Sequence, residues 1–546
     1  MDTILVLDFG SQTTALIGRR IRELGVYSEV VPGDTVFDEA FRAGAVFRGV
    51  KGIVLSGSPE SVYTGRGSVP DRFVYECGLP LLGICYGLQR MTVDNGGLVE
   101  PLPLREYGAK KITIEGDASR LSEPGRRFME GFGAQSATLP QVPGTFTAWM
   151  SHGDTLVRLA PGFAQMGTSE TGYPAVAAHE SKPWFGVQFH PEVTHCERGM
   201  DILAGFVFGV CGCKKGWSME AYVAQIRGEL RRRVSGTPVL LLISGGVDST
   251  VAAALLLAAL PPEQVHLCYM DTGLMRKDET AQVTLTLEKL GAKNLHIVMC
   301  GDEFLAALAG LEDPEAKRKV IGDLFIRIQE REVARLGLPD TYFLAQGTLY
   351  TDLIESGKGV GKKAHVIKSH HNVGSPLVDA KRKAGRIIEP LERLYKDEVR
   401  ALGKILGVDA EVLRRHPFPG PGLAVRILGE VTREKCEVLR EADALFIGEL
   451  KKRRGPSGKR LYDEIWQAFA VLLPVRSVGV AGDERRYGWV LALRAITSAD
   501  GMTADVYPFA PRDLLEISTL ITNAVPAVGR VVYDVSSKPP ATIEWE

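Results

Sequence analysis

Residues 80–95, PLLGICYGLQRMTVDN, pass from an apolar run through a turn of small residues into a helical pattern, and this stretch decides the fold class of the first part of the chain. PLLGIC reads as a buried strand, and the sequence after it has the apolar spacing of a helix. Between them, Gly83-Ile84-Cys85-Tyr86-Gly87 follows the nucleophile-elbow pattern with Cys in place of Ser. Its small flanking residues permit a sharp turn that exposes the central side chain. Cys85 would sit at the positive end of the helix that follows, a position that lowers a thiol pKa and raises its thiolate fraction. The competing reading is a buried core cysteine, a common fate for this residue type.

Working outward, residues 1–205 alternate strand-length apolar runs (ILVLDF, GIVLSG, PLLGIC, FGVQF) with helical patterns, the signature of an open, doubly wound α/β sheet with its active residues at strand ends. A thiolate nucleophile needs a proton carrier, and Phe189-His190-Pro191-Glu192 closes the run WFGVQF. In an extended chain His190 and Glu192 project on one face. Glu192 can then orient His190 and stabilise its protonated form while His190 passes a proton to departing ammonia, a Cys-His-Glu triad. His152, in Met150-Ser151-His152-Gly153-Asp154, and His195 compete as bases but lack the strand-end carboxylate. Oxyanion donors are expected from the backbone N–H of Tyr86 and from the loop Ser56-Gly57-Ser58-Pro59, through Gly57.

GICYG together with FHPE resembles the class I glutamine amidotransferases, and DFGSQ near the start and SHGD strengthen the likeness. The resemblance implies Cys85, His190 and Glu192 as the triad, acting through a glutamyl thioester that releases ammonia. Ser58 stands where relatives usually carry a second Gly.

Residues 206–216, rich in Gly, Cys and Lys, read as a linker. From Pro238 the run VLLLISGG is a buried strand ending in glycines, and DSTVAAALLLAAL is the helix it feeds; a second doubly wound parallel-sheet domain is expected over 217–416. Ser244-Gly245-Gly246-Val247-Asp248-Ser249 lies at that strand-to-helix junction, where successive N–H groups and the helix N-terminus can enclose an anion. It lacks the Gly-Lys-Ser/Thr ending of a Walker A loop. SGGxDS instead resembles the loop of enzymes that cleave ATP between the α and β phosphates. Asp248 is expected to reach the phosphates or a metal. Asp352 and Glu355, three apart, can share a helix face and bind Mg²⁺ together with ATP, while Lys368 and Lys396 offset negative charge. No organic cofactor is called for.

Beyond the proline cluster His416-Pro417-Phe418-Pro419-Gly420-Pro421-Gly422 the pattern changes to strands such as RSVGVAG and GRVVYDVS mixed with helices, so a smaller α+β domain is expected over 417–546. HPFPGPGLAVR and SSKPPATIEWE, with the motifs above, resemble the GMP synthetases from end to end. That likeness implies glutamine, ATP and XMP as the small molecules bound. Its XMP contacts fall on Arg318, Gln467, Arg530, Lys538, Ile543 and Glu544, and it makes the last domain a homodimerisation domain contributing to the XMP site.

Bulk composition agrees with small soluble substrates. Across 546 residues, 65 Lys plus Arg balance 66 Asp plus Glu, so no global field favours nucleic acid or a membrane surface as a partner. No apolar run reaches the ~20 residues needed to span a bilayer, and the start of the chain has no basic leader pattern, so a cytoplasmic protein is expected. Eight cysteines without framework spacing fit a reducing compartment, and Cys211 with Cys213 reads as a turn more readily than as a zinc site. A tRNA-modifying enzyme with the same phosphate loop and a regulatory protein without activity are the competing classes. Balanced charge and the missing paired CxxC argue against the first, and the intact triad and loop against the second.

Overall fold

The computed structural model describes residues 1–115, 117–133, 144–350, 376–481, 484–498 and 503–546. Residues 1–222 with Tyr350 form one compact unit; Val223–Leu349 and the described residues from 376 onward form a second.

The first unit is built on a nine-stranded sheet: β1 (Thr3–Asp8), β2 (Tyr27–Pro32), β3 (Val50–Leu55), β4 (Leu81–Ile84), β5 (Leu98–Ile114), β6 (Gly144–Arg158), β7 (Phe163–Ser169), β8 (Pro174–His179) and β9 (Trp184–Val187), in the order β2-β1-β3-β4-β9-β8-β7-β5-β6. The strands from β2 to β9 in that order are mutually parallel, as the buried apolar runs require, with α1 (Thr14–Glu23) as the crossover from β1 to β2 and α2 (Tyr86–Asp94) following β4. From β9 outward every pairing is antiparallel, so only half of this sheet is of the doubly wound kind. Short connections account for two of these pairings, 170–173 joining β7 to β8 and 180–183 joining β8 to β9. A few residues can join antiparallel neighbours, whereas a parallel partner needs a crossover of a dozen or more.

The strand order places the ends of β3, β4 and β9 side by side, and adjacent strands lie only about 4.8 Å apart. The expected linker begins as helix: α3 (Gly199–Ala204) runs on into a π-helical turn over Gly205–Val210, with Phe206 and Val207 fully buried. On the open edge of β2, the Tyr350 hydroxyl accepts from Val30 N–H at 2.8 Å, and the Arg22 guanidinium lies 5.4 Å from the Tyr350 ring centre.

The second unit opens with an all-parallel sheet in the order β12-β11-β10-β13-β14, formed by β10 (Val239–Ile243), β11 (Val265–Asp271), β12 (Asn294–Met299), β13 (Phe343–Ala345) and β14 (Ile387–Ile388). Helix α4 (Val247–Ala259) follows β10, and α5 (Glu279–Lys289) and α6 (Pro314–Leu336) come later. Helix α7 (Lys396–Ile405) packs on α4 so closely that a Cβ on Gly403 would lie 2.8 Å from Val251 Cγ2. A second sheet joins β15 (Gln467–Ala481) and β16 (Glu484–Thr497) as an antiparallel pair; β17 (Asp505–Val506) adds antiparallel and β18 (Val528–Tyr533) parallel to β16. Helices α8 (Arg433–Lys452) and α9 (Pro511–Ala524) cover it. One hydrophobic core runs from Leu240 and Cys268 through Leu423 and Phe446 to Leu491 and Ile521, so the second unit holds both sheets around shared apolar contacts.

Candidate active sites

Cys85 stands at the end of β4 with φ 52° and ψ −108°, a conformation that non-glycine residues rarely adopt. The flanking glycines are sterically required: a Cβ on Gly83 would lie 2.6 Å from Leu88 N, and one on Gly87 only 2.2 Å from Leu55 O. Cys85 N–H donates to Val187 O at 2.8 Å, tying the elbow to β9. His190 follows three residues after β9, and its Nδ1–H donates to Glu192 Oε1 at 2.7 Å, with Glu192 fully buried. Burial alone would lower the His190 pKa. The Glu192 carboxylate, with hydrogen bonds to Cys85 and Glu192, outweighs that effect and holds the imidazole well above its ordinary value. The arrangement therefore favours an imidazolium beside the sulfur, the charge state in which the ring can give its proton to a leaving amine. Gly57, at the end of β3, lies so close that a Cβ there would be 3.2 Å from His190 Cε1.

Cys85 and His190 line a cavity of about 790 Å³ with Tyr86, Gln89, Arg105 and His152. His152, the competing histidine of the same cavity, has both ring nitrogens engaged elsewhere. Its Nε2 faces Glu106 Oε2 at 3.1 Å, both side chains being buried, and its Nδ1 lies 2.8 Å from Asp154 O. Burial would raise the Glu106 pKa, but hydrogen bonds from His152 and Thr171 outweigh it and hold the carboxyl below its usual range. Sequence reasoning missed this pair because it depends on the β5–β6 register, in which Glu106 and His152 lie directly opposite. It also missed Gln89, whose Nε2 donates to Asp154 O at 2.9 Å, Gln188, whose Nε2 lies 3.7 Å from Cys85 Sγ, and Arg20, whose Nε donates to Glu192 O at 3.0 Å. Gln89 was visible one turn beyond the elbow, in GICYGLQ.

In the second unit, Ser244–Ser249 turn from β10 into α4. Gly245 takes a φ of 77°, Gly246 forms the N-cap with no side-chain cap bond, and Val247 opens the helix. The loop braces itself through its hydroxyls: Ser244 Oγ and Ser249 Oγ are 3.1 Å apart, and Thr250 Oγ1 donates to Gly246 O at 2.8 Å. The N–H groups of a helix's first turn lack intrahelical acceptors, so this mouth suits phosphate oxygens. Asp248 sits in that first turn, and exposed Lys396 opens α7. Lys368, Asp352 and Glu355 lie outside the described residues. Among the described residues no group of three or more His, Cys, Asp or Glu side chains is placed to hold a metal.

Family profiles match the chain in series: Glutamine amidotransferase class-I over residues 5–210, NAD synthase over 218–326, and GMP synthase C terminal domain over 457–545. The chain is 47% identical to a GMP synthase (glutamine-hydrolyzing) of Aquifex aeolicus, covering 100% of this chain and 99% of that one. Proteins of the same description from Geobacillus kaustophilus and Symbiobacterium thermophilum are 48% and 46% identical over the same shares. The chain belongs to the glutamine-hydrolysing GMP synthase family.

Of the residues that likeness to the GMP synthases implies as XMP contacts, Arg318, Gln467, Ile543 and Glu544 converge on the C-terminal segment. Gln467 Nε2 donates to Glu544 Oε1 at 2.7 Å, and Arg318 Nη2 donates to Glu546 O at 2.5 Å. Arg494 Nε donates to Ile543 O at 2.9 Å. The Lys538 backbone N–H donates to Ala504 O at 2.8 Å, and Arg530 lies on β18 and is exposed. Two further cations hold the segment and were missed: Arg426 forks onto Glu544 at 2.8 and 3.1 Å, and Lys317 reaches Glu546 Oε2 at 2.6 Å. Both cationic side chains are fully buried.

Proposed function

We propose that the chain is a carbon–nitrogen ligase that makes GMP from XMP, ATP and glutamine, releasing AMP, pyrophosphate and glutamate. The observation that carries this reading is the Cys85 elbow joined to the His190–Glu192 pair at adjacent strand ends, in a chain aligned over its whole length with glutamine-hydrolysing GMP synthases. In the reaction, Cys85 Sγ adds to the glutamine carboxamide carbon, and backbone N–H groups at Tyr86 and Gly57 receive the oxyanion. His190 gives its proton to the nitrogen as the C–N bond breaks, leaving a glutamyl thioester and ammonia. Water, deprotonated by His190, then hydrolyses the thioester to glutamate. Glu192 keeps the ring in register through both steps.

In the second unit, Ser244–Ser249 hold the ATP phosphates. The XMP C2 oxygen attacks the α phosphorus and pyrophosphate departs; ammonia then adds at C2 and AMP leaves. Ammonia must arrive uncharged, because ammonium has no lone pair to attack with and is expensive to desolvate. Residues 1–205 thus act as the glutaminase, 217–416 as the adenylating domain and 417–546 as the domain completing the XMP site, with 206–216 between the first two. Asp248 is a hard oxygen donor beside the loop, and Mg²⁺ needs only one or two carboxylates plus substrate phosphates, so the site fits that ion, with Asp352 and Glu355 as further donors. When bound, Mg²⁺ supplies charge neutralisation at the phosphates. Lys368 and Lys396 would add to that positive charge, and Arg318, Gln467, Arg530, Lys538, Ile543 and Glu544 would contact XMP.

A homodimer through residues 417–546 is part of this reading, supported by the exposed apolar Val478 and Tyr487, which face each other across the β15–β16 ribbon at 48% and 60% exposure. A cytoplasmic location fits the free thiols and nucleotide substrates. The chain has no described helix long and apolar enough to cross a membrane. The deciding experiment is Cys85→Ala. GMP formation from glutamine is abolished while formation from added ammonium salt persists; glutamine-dependent formation that survives the substitution would overturn the assignment of the thiol, and loss of both activities would mean that the first domain is also needed for the synthetase step.

A further inference from the structure

We propose that Arg415 is a positioning residue of the phosphate loop, acting on the nucleotide through the carbonyl of Gly245. The inference rests on the reading of Ser244–Ser249 as the ATP site and adds a residue from outside the loop to it. Arg415 precedes the proline cluster, 170 residues along the chain from Gly245, and its Nη1 donates to Gly245 O at 2.9 Å. The same Nη1 contacts Glu279 Oε1 at 3.2 Å, and Nη2 donates to Gln282 Oε1 at 2.9 Å, both acceptors lying on α5. The Glu279 side chain is only 3% exposed, and its other oxygen accepts from Arg276 N–H at 3.0 Å, so the acceptor is itself held in place. The Arg415 main chain is fixed from the other side, because the next residue, His416, donates its N–H to Tyr462 Oη at 3.1 Å.

The consequence follows from peptide geometry. In a planar trans peptide the C=O and the following N–H point in opposite directions. By holding Gly245 O against α5, Arg415 turns the N–H of Gly246 away from α5. Gly246 is the N-cap of α4, so its N–H is directed to the mouth where phosphate oxygens are expected. There it makes only a long bond, 3.3 Å, to Ser244 Oγ, which an anion can replace. Gly245 alone does not fix this plane, since glycine at positive φ is conformationally permissive. Arg415 is not itself placed as a phosphate ligand: it is directed at the three acceptors just named, its charge is balanced by Glu279, and its side chain is only 15% exposed. The guanidinium fork can hold a carbonyl and two side-chain acceptors in fixed directions at once, which a lysine ammonium cannot.

The test uses the full chain with Mg²⁺ and measures binding of inorganic pyrophosphate and of AMP separately, alongside KM for ATP in the XMP-dependent reaction. Pyrophosphate is the part of ATP that the loop holds, whereas AMP lacks it. With one backbone donor misaligned, Arg415→Ala is expected to weaken pyrophosphate about tenfold and raise KM for ATP to match, with AMP affinity changed by less than about twofold. Arg415→Lys, which keeps a donor for Gly245 O but loses the fork, is expected to fall between, at about threefold. Equal weakening of AMP and pyrophosphate, or wild-type pyrophosphate affinity in a folded variant, overturns the proposal. If Arg415→Ala does not fold, the same comparison in Arg415→Lys decides it. Failure of the underlying reading shows elsewhere, as a wild-type chain that neither binds pyrophosphate nor releases it from ATP.

Discussion

The His416 ring should make part of the second unit acid-sensitive. Its Nδ1 accepts from Ala468 N–H at 3.1 Å, its Nε2 lies 2.8 Å from Tyr462 O, and the ring stacks on Tyr462 with centroids 3.9 Å apart. An imidazole accepting at one nitrogen and donating at the other is neutral. Burial is the main cause that pushes its pKa down from 6.5 to about 4. A base with a depressed folded pKa binds fewer protons folded than unfolded. Its contribution is therefore intact above the unfolded value and is lost as pH falls from 6.5 towards 4. Between pH 7 and pH 5 the two pKa values correspond to a loss of about 2 kcal/mol, or roughly a 20-fold rise in the population of any opened state that exposes the ring. Amide hydrogen exchange of the start of β15, corrected for the intrinsic effect of pH on exchange, reads that population without requiring global two-state unfolding. In His416→Gln, which has no titrating ring, the corresponding amides should open more readily at pH 7, because Ala468 N–H loses its acceptor, but should lack the extra rise by pH 5. Equal pH dependence in the two proteins would refute the assignment of a neutral buried imidazole.

Gly87→Ala places a methyl carbon 2.2 Å from Leu55 O, so the elbow must shift. Glutamine-dependent GMP formation should fall by about 100-fold, the scale expected for a misplacement of about 1 Å, while ammonium-dependent formation measured in parallel is retained. Glu546→Gln leaves the fully buried Lys317 ammonium without a carboxylate and should destabilise the docked C-terminal segment by about 3–5 kcal/mol, raising KM for XMP. Lys317→Met combined with Glu546→Gln should be less destabilised than Glu546→Gln alone, as read by thermal melting, because no buried charge is then stranded.

What could be read from sequence was local. The elbow needs five consecutive residues, the His190–Glu192 pair needs two positions on one extended segment, and the phosphate loop needs a strand, two glycines and a helix start. In each case the chain's own geometry brings the groups together. In the antiparallel half of the first sheet only the β7–β8 and β8–β9 pairings are legible, through their short connections; β5 pairs with β6 and β7 across long intervening stretches. The partnerships Arg426–Glu544, Lys317–Glu546 and Arg415–Gly245 span 118, 229 and 170 residues. No periodicity encodes such pairs. A buried arginine within the apolar stretch GLAVRIL signals that a partner must exist, because a lone charge is too costly to bury, but not which residue it is. The boundary expected near residue 416 likewise followed a change in pattern, whereas the packing joins both sides of it in one core.

The two candidate sites solve the same steric problem in opposite ways. Both require a residue at positive φ where a strand end turns into a helix, with φ 52° at Cys85 and 77° at Gly245. In the proposed phosphate loop the backbone is the part assigned to the ligand, so glycine can occupy the positive-φ position without steric strain, and the resulting freedom must be removed from outside, which is the role proposed for Arg415. At the elbow the proposed nucleophile is a side chain, so on that reading the strained residue cannot be glycine. Cys85 must bear about 1–3 kcal/mol of backbone strain, held by neighbours that leave it no alternative. Gly83 and Gly87 are those neighbours: each is packed against backbone too tightly to accept a Cβ, and Cys85 N–H is fixed to Val187 O at 2.8 Å. Tolerance to substitution should therefore be reversed between the sites: at the elbow the flanking glycines are the sterically intolerant positions, and in the loop the positive-φ glycine itself is.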